Sequence, residues 1–373
     1  MKKRVGVHEI ARLARVSIGT VDRALHGRRG ISEATRTKVL RIAEKLGYSP
    51  DPAARALAVA RSQFRIGVCI PEEIHFFYDQ MRDGIREEAR RSAYLGVEAI
   101  HRPVPRLGEG EQKQLAKLLD ENIQGLIVVP GSPRVVTPLI DRAESIGIRT
   151  ICINSDAAES RRSTLVCANP ELQGNLAAEL LAKFIHGQAE VAVITGMLQT
   201  EEHHQKVEGF RARFAEYATS GQNVLVVEAH ESETEGYEKT KELLSQNPRL
   251  RGIYVTTVNC LPVCRAIGEY DRPDEIKLIT TDIFPQMVPF FERGIIGASI
   301  YQDPYQQGRT AVRVLLDYLV DKVPIREANY LNPGVVLQSN IHQFREVRLS
   351  HVARDGSAGN KRGEKSLREA VRT

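Results

Sequence analysis

The N-terminal fold is decided by the stretch Val7-His8-Glu9-Ile10-Ala11-Arg12-Leu13-Ala14-Arg15-Val16-Ser17-Ile18-Gly19-Thr20-Val21-Asp22-Arg23-Ala24-Leu25. Its apolar residues recur at helical spacing on both sides of a short turn, which predicts two amphipathic helices that share a small core. Ser17 stands where its hydroxyl can accept from the free N–H groups that open the second helix. The pattern predicts a helix-turn-helix whose core contains Ile10, Leu13, Ala14, Val21, Ala24 and Leu25.

Positive charge is concentrated at the same end of the chain. Residues 1–62 carry fourteen Lys and Arg against five Asp and Glu, a net charge of +9, so the other residues carry −4 of the total of +5. A basic module gains affinity for DNA by releasing the counterions condensed on the phosphates. The asymmetry therefore favours double-stranded DNA as a partner, with the second helix of the motif lying in the major groove.

Length and composition indicate a globular protein of several domains. A chain of 373 residues predicts two or three domains. Hydrophobic residues make up 42% and charged residues 27% of the sequence, and no apolar run approaches the roughly 20 residues that span a membrane. The basic start Met1-Lys2-Lys3-Arg4 is not followed by an apolar region, so we expect a cytoplasmic protein without a signal peptide or a membrane partner.

The number and spacing of the cysteines predict neither disulfide bonds nor a metal site. There are five, an odd number, and three of them fall in apolar strand-like runs, which predicts buried free thiols. Cys260 and Cys264 are four residues apart, but no second Cys or His pair follows at the spacing of metal ligands. We expect no metal site.

From Phe64 onward, apolar runs alternate with helical segments. Strand candidates lie near residues 65–70, 95–100, 125–129, 148–153, 190–195, 223–228, 252–257, 276–281 and 297–301, and helical segments near 80–91, 112–122, 172–186, 234–246 and 305–320. This order predicts parallel sheets with helices on both faces, and nine or more strands suit two doubly wound subdomains better than one sheet. The basic tail 346–373 is predicted to be disordered and lacks leucine heptads, so we expect a dimer.

Several N-terminal segments together resemble a known family. They are Glu9-Ile10-Ala11, Val16-Ser17, Thr20-Val21-Asp22-Arg23, Leu46-Gly47-Tyr48-Ser49-Pro50 and Ala54-Arg55-Ala56-Leu57-Ala58. The pattern resembles the LacI/GalR (lactose-repressor) family of bacterial transcription regulators. The resemblance implies an all-α headpiece over 1–49, a hinge over 50–62, and a periplasmic-binding-protein-like effector-binding and dimerisation domain over 63–345, built from two doubly wound α/β subdomains.

Candidate DNA contacts follow from both arguments. Arg23 can bond guanine in bidentate fashion and Ile18 can pack on a thymine methyl, whereas Gly19 offers no side chain where the family carries a longer one. Asp22 fits either a cytosine contact or a salt bridge on the helix surface. The resemblance implies that Leu57 enters the minor groove at the centre of a palindromic operator. The full set is Ser17, Ile18, Gly19, Thr20, Asp22, Arg23, Arg28, Ala54 and Leu57.

Candidate effector contacts follow the predicted strands, because doubly wound sheets bind ligands beyond the carboxyl ends of their strands. They are Phe76, Phe77, Asn154, Asp156, Thr256, Asn259, Asp282 and Gln302. Aromatic faces beside carboxylate and amide groups suit a sugar or polyol, although Phe76, Phe77 and Asn154 fit a purely structural role as well. The resemblance adds Lys206, where the family usually has Arg, and marks Ile74, where sugar-binding relatives often carry Asn.

The observations favour a dimeric, allosteric DNA-binding regulator, and a repressor is the preferred interpretation. We expect its effector to be sugar-like or polyol-like and to bind in the cleft between the subdomains. A transcriptional activator or a cytoplasmic sugar-binding receptor with the same effector domain is the alternative. We expect neither an enzyme nor a cofactor, because the sequence has no Gly-x-Ser-x-Gly turn, dinucleotide fingerprint or Walker loop.

Overall fold

The structure is a computed structural model that describes residues 7–25, 30–46, 63–185, 189–217 and 224–344. The first two ranges hold three helices, α1 (Val7–Ala14), α2 (Ile18–Leu25) and α3 (Glu33–Lys45). Their buried core consists of Ile10, Ala11, Ala14, Val21, Ala24, Val39 and Ala43, with Leu25 at its margin. The predicted helix-turn-helix is thereby confirmed.

The prediction that Leu13 of α1 belongs to the core is wrong. Leu13 is 43% exposed, whereas Ala11 is buried. At 100° per residue the buried stripe runs through Ile10, Ala11 and Ala14, and Leu13 lies well to one side of its centre. The prediction for Leu13 rested on its apolar character alone. Its angular position on the helix lies outside the buried stripe.

The turn between α1 and α2 is fixed by local hydrogen bonds. The Ser17 hydroxyl accepts from the backbone N–H of Thr20 at 3.1 Å and forms a second bond with the Thr20 hydroxyl at 2.9 Å. Arg15 occupies the left-handed region with φ 55° and ends α1. The predicted cap of α2 by Ser17 is confirmed.

The remaining elements alternate between helix and strand. The helices are α4 (His75–Arg91), α5 (Glu111–Leu119), α6 (Pro133–Ser145), α7 (Pro170–Phe184), α8 (Glu201–Ala215), α9 (Glu233–Gln246), α10 (Leu261–Gly268), α11 (Val288–Glu292) and α12 (Pro304–Asp321). The strands are β1 (Phe64–Cys69), β2 (Val97–His101), β3 (Gly125–Val128), β4 (Arg149–Ile153), β5 (Thr164–Ala168), β6 (Glu190–Thr195), β7 (Val224–Glu228), β8 (Leu250–Val255), β9 (Lys277–Thr281), β10 (Ile296–Tyr301), β11 (Ala328–Leu331) and β12 (Gly334–Val336).

The chain divides into two compact units. Unit 1 comprises residues 1–168 and 304–331, and unit 2 comprises residues 169–303 and 332–373. The sheet of unit 1 has the order β11-β5-β4-β3-β1-β2 and is parallel throughout. The sheet of unit 2 has the order β12-β10-β9-β8-β6-β7, with only its edge strand β12 antiparallel. The predicted class, two doubly wound α/β subdomains behind an all-α headpiece, is confirmed.

Strands of parallel sheets are typically apolar on both faces, because helices cover both sides of the sheet, and strands of this protein follow that pattern. All four residues of β3 are buried, as are the last four of β1 and of β4. In unit 2 the ring of Phe210 stacks on those of Phe214 and Tyr254, with centroids 5.6 Å apart in each pair. Each sheet therefore has its own hydrophobic core.

A five-residue motif starts one close-packed helix in each unit. The helix α7 begins Pro170-Glu171-Leu172-Gln173-Gly174, and α12 begins Pro304-Tyr305-Gln306-Gln307-Gly308. In unit 2, α7 packs on α8, and in unit 1, α12 packs on α4. The shared Pro-x-x-Gln-Gly motif marks an internal repeat that relates the two units.

Glycines allow these two helix pairs to approach closely. A Cβ on Gly84 of α4 would overlap the carbonyl oxygen of Tyr305, and a Cβ on Gly174 of α7 would overlap that of Lys206. Backbone meets backbone at both crossings, so no side chain fits there.

All five cysteines are buried and free, as predicted. Burial raises the pKa of Cys69 and of Cys152 to about 12, so neither thiol ionises near neutrality. In the described ranges, no helix combines the length and hydropathy of a membrane span, and no three His, Cys, Asp or Glu are grouped as metal ligands.

Candidate functional site

Five of the nine predicted DNA contacts belong to α2. Val21 and Ala24 turn into the headpiece core, which leaves Ile18 45% exposed and Gly19 and Arg23 exposed beside it. Thr20 is half-buried because its hydroxyl bonds to Ser17. Asp22 belongs to the same helix.

The other predicted DNA contacts cannot be placed. Arg28, Ala54 and Leu57 lie outside the described residues, as do the predicted hinge over 50–62 and the predicted tail over 346–373. They stay predictions.

In unit 1, Asn154 follows β4 in a left-handed conformation with φ 66°. Its backbone N–H donates to the carbonyl of Val166 in β5 at 2.9 Å, which fixes the turn. Its side-chain Oδ1 is buried and has no hydrogen-bond partner among the described residues. A buried acceptor without a partner costs free energy, so this oxygen is available to a donor from a ligand.

The carboxylate of Asp156 is engaged within unit 1. Arg162 forms a two-point ion pair with it, Nη2 to Oδ2 at 2.7 Å and Nε to Oδ1, and the backbone N–H of Ala157 donates to Oδ1 at 2.8 Å. These bonds satisfy Asp156 without a ligand.

The two predicted aromatic contacts, both in the first turn of α4, differ in burial. Phe77 is 4% exposed and packs edge-to-face on Tyr78, with centroids 5.1 Å apart, whereas Phe76 is half-buried. Ile74, just before the helix, has φ 51° and ψ 56°, a left-handed conformation that is unfavourable for a β-branched residue. Asn tolerates this backbone better than Ile does.

In unit 2, four predicted residues from different elements meet in one network. Lys206 of α8 donates from Nζ to the backbone oxygen of Thr256 at 3.1 Å and to Oε1 of Gln302 at 3.4 Å. Asp282 accepts from Gln302 twice, from the backbone N–H at 2.9 Å and from Nε2 at 2.7 Å. All four are at most 5% exposed.

The network lies at the carboxyl ends of the strands of unit 2. Thr256, Asp282 and Gln302 directly follow β8, β9 and β10. Asp282 adopts φ 61° and donates its N–H to Ile300 at 2.8 Å, the arrangement that Asn154 has in unit 1. Nearby in sequence, the Nδ2 group of Asn259 is buried without a hydrogen-bond partner among the described residues.

Sequence reasoning missed Glu202, which forms an ion pair with Lys206 inside this network. Burial alone would lower the pKa of Lys206, but the Glu202 carboxylate outweighs it and raises that pKa above its ordinary value. Burial likewise would raise the pKa of Glu202, but Lys206 holds it below its ordinary value. Both groups are therefore charged. The Glu–Lys spacing of four residues in α8 is a signal from which the pair could have been expected.

A separate groove of about 610 Å³ lies on unit 1 and contains none of the predicted effector contacts. It runs along α4 and β2 and mixes both signs of charge, with Glu73, Asp79, Arg82 and Arg86 among its lining residues. His101 also lines it, and burial together with the charges of Arg86 and Arg82 lowers its pKa to about 4.

Two family models match the chain. Residues 7–51 match the model of bacterial regulatory proteins of the lacI family, and residues 66–322 match the model of a periplasmic binding protein domain.

Curated relatives match over most of the chain. The catabolite control protein A of Priestia megaterium is 24% identical over 334 residues, which cover 84% of this chain and 92% of that protein. The ribose operon repressor of Haemophilus influenzae is 24% identical over 346 residues, 90% of this chain and 98% of that protein. Among solved structures, GanP, a glucose-galactose binding protein from Geobacillus stearothermophilus, matches with a TM-score of 0.67 at 23% identity, over 75% of this chain and 99% of that chain.

Proposed function

The chain belongs to the lacI family of bacterial regulatory proteins and joins their helix-turn-helix to a periplasmic binding protein domain, and on this premise we propose that it is a transcriptional repressor. It binds a palindromic operator as a homodimer and responds to a small sugar or polyol. The headpiece over 1–49 reads the DNA, the hinge over 50–62 contacts it, and residues 63–345 bind the effector and dimerise.

The operator contact is carried by α2. Among the side chains of α2 that the structure describes, Arg23 is exposed and cationic, and Ile18 is exposed and apolar. Arg can bond the O6 and N7 atoms of guanine, and an apolar side chain can pack on the thymine methyl. Because Gly19 adds no side chain, specificity depends on few residues in each headpiece and on the presence of two headpieces.

The observation that carries the effector proposal is a set of polar groups at strand ends. Among the described residues, unit 1 holds an acceptor without a partner, Asn154 Oδ1, and unit 2 holds a donor without a partner, Asn259 Nδ2. A hydroxyl group can both donate and accept, so a polyhydroxylated ligand can satisfy either. The names of the ribose operon repressor and of the glucose-galactose binding protein agree with this class.

The DNA part is tested by fluorescence anisotropy on an operator selected from random duplexes. We expect Arg23→Ala to weaken binding by about 1–3 kcal/mol and to relax preference at one base pair of each half-site. Lys45→Ala, which removes an exposed cation at the end of α3, should change affinity equally for all sequences. Equal effects of the two variants on sequence preference would contradict the role of α2.

The effector part is tested by a thermal-shift screen of sugars and polyols, followed by operator titration with each hit. An allosteric effector should change operator affinity by about 5-fold to 150-fold. A hit that stabilises the protein but leaves operator affinity unchanged would contradict the proposed control.

A further inference from the structure

One stripe of α4 lines the groove on unit 1. Its members are His75, Asp79, Arg82 and Arg86. Their spacings of four, three and four residues place them on one face of an α-helix. The face of α4 that packs on α12 is a different one, because it contains Gly84, whose Cβ would overlap the backbone of α12. The stripe is therefore available to an occupant of the groove.

The exposed charges along the groove change sign. The Asp79 side chain is 51% exposed and the Arg86 side chain is 58% exposed. Glu72, an exposed residue just before α4, also lines the groove. His101 is neutral near neutrality, because burial and the arginine charges lower its pKa to about 4. The groove is thus acidic near the start of α4 and basic at Arg86, about 10 Å further along the helix from Asp79.

Both exposed charges keep capacity for a partner from outside unit 1. Within α4, Asp79 pairs with Arg82, and Arg86 pairs with Asp83, Nη1 to Oδ1 at 2.7 Å. Such pairs on a helix surface contribute little to stability. A carboxylate accepts through two oxygens and a guanidinium donates through five N–H groups, so each can bind a second partner beside the first.

The segment that follows β2 disfavours an added strand as the occupant. β2 is the edge strand of the sheet of unit 1, and Pro103 and Pro105, which come shortly after it, line the groove. A proline has no backbone N–H to donate to a neighbouring strand. An occupant of the groove is therefore expected to contact side chains, including those of the α4 stripe, rather than to extend the sheet.

We infer that a second copy of this chain docks against the groove, with the two α4 helices antiparallel about a two-fold axis that places Asp79 opposite Arg86 of the partner subunit. Such a contact forms each pair twice. A small anion in the groove would meet the carboxylates of Asp79 and Glu72, and a small cation would meet Arg86. A rotated copy of the same stripe instead presents the opposite charge to both ends. The inference rests on the proposed function, in which the protein is a homodimer.

The test measures the dimer dissociation constant of the full-length protein by sedimentation equilibrium. Asp79→Arg and Arg86→Asp each turn both inferred pairs into like-charge contacts, so each variant alone should dimerise at least about 10-fold more weakly than the natural protein. In a mixed dimer of the two variants, both pairs join opposite charges again. An equimolar mixture should therefore regain the dissociation constant of the natural protein to within about 3-fold.

A matched control comes from α5 and its C-terminal end. Lys113 and Asp120 are exposed, lie the same number of residues apart as Asp79 and Arg86, and do not line the groove. Lys113→Asp and Asp120→Arg should leave the dissociation constant unchanged. A second measurement uses salt: the natural dimer should weaken between about 0.05 M and about 0.5 M NaCl, because salt screens exposed charges, and Arg86→Gln should reduce that dependence.

The outcomes are separable. Single variants that dimerise as tightly as the natural protein overturn the inference, leave the proposed homodimer intact and assign the groove to another occupant. Two weakened variants whose mixture does not recover also overturn it, because the two residues then do not face each other. If circular dichroism shows that a charge-reversal variant does not fold, Arg86→Gln decides, and a salt dependence equal to that of the natural protein overturns the inference. A natural protein that binds the operator as a monomer contradicts the proposed homodimer itself.

Discussion

The buried carboxylate of Glu111, at the start of α5, joins two loops of unit 1. Its oxygens accept from the backbone N–H groups of Gly108 at 2.9 Å, Gly131 at 2.7 Å and Ser132 at 3.1 Å. The side chain is buried, since Glu111 is only 1% exposed. The first loop follows β2 and the other follows β3, and a Cβ on Gly131 would overlap the nitrogen of Gly108. One carboxylate thus fixes both loops at close approach.

Glu111→Gln should destabilise unit 1 by about 2 kcal/mol. The amide oxygen of Gln can keep the two N–H groups that Oε1 accepts, but its NH₂ group then faces the N–H of Ser132. One hydrogen bond to a charged acceptor is lost, worth about 1.5–3 kcal/mol, and the partly buried N–H of Ser132 is left without this acceptor. For a unit of this size the loss corresponds to a decrease in Tm of roughly 4–8 °C.

Differential scanning calorimetry measures the change, and hydrogen exchange locates it. Amide protection should fall in peptides that contain Gly108 and Gly131. The control is Glu109→Gln, which removes an exposed carboxylate two residues away and should leave Tm within about 1 °C. Equal Tm values for the two variants would refute the assignment of three N–H bonds to Glu111.

Three further substitutions test other features. Ile74→Asn should raise the free energy of unfolding by about 1 kcal/mol, because Asn tolerates a left-handed backbone that costs a β-branched residue about 1–2 kcal/mol; a lower urea midpoint would contradict this. His101 has a pKa of about 4 in the folded protein against an ordinary value of 6.5. As the pH drops from 6.5 to 4, the unfolded chain therefore binds a proton at His101 before the folded protein does. The free energy of unfolding should fall over this range by at most about 3 kcal/mol. His101→Gln should flatten that part of a plot of urea midpoint against pH, and an unaltered slope would exclude His101 as its source. Gly84→Ala should cost about 3 kcal/mol, because its methyl group overlaps the backbone of α12; a Tm equal to that of the natural protein would show that the helices can separate without loss.

The periodicity of the sequence predicted the fold class but not every strand. β5, β11 and β12 were missed. β12 has three residues and β11, with the sequence Ala-Asn-Tyr-Leu, has no fully buried residue. The short edge strands β11 and β12 gain their stability from pairing with neighbours that are distant in sequence, so their local pattern is weak.

The candidate site was predictable in position but not in bonding. The rule that ligands bind beyond strand ends named Thr256, Asp282 and Gln302, which the structure brings together with Lys206. The partner of a polar group depends in general on side-chain directions that local spacing does not give, so the engagement of Asp156 by Arg162 could not be foreseen. Glu202 is different, because its spacing of four residues from Lys206 in a helix was a usable signal that the sequence reasoning passed over.

The crossing of the chain between its two units has a consequence during synthesis. Unit 1 receives α12 and β11 only after residue 303 has been made, and unit 2 receives its edge strand β12 only after residue 331. Until then, the face of α4 that meets Gly308, next to Met81 and Ile85, has no partner on the nascent chain. Unit 1 therefore stays incomplete while residues 169–303 of unit 2 are being translated, and a stop codon within that range leaves unit 1 unfinished as well as unit 2.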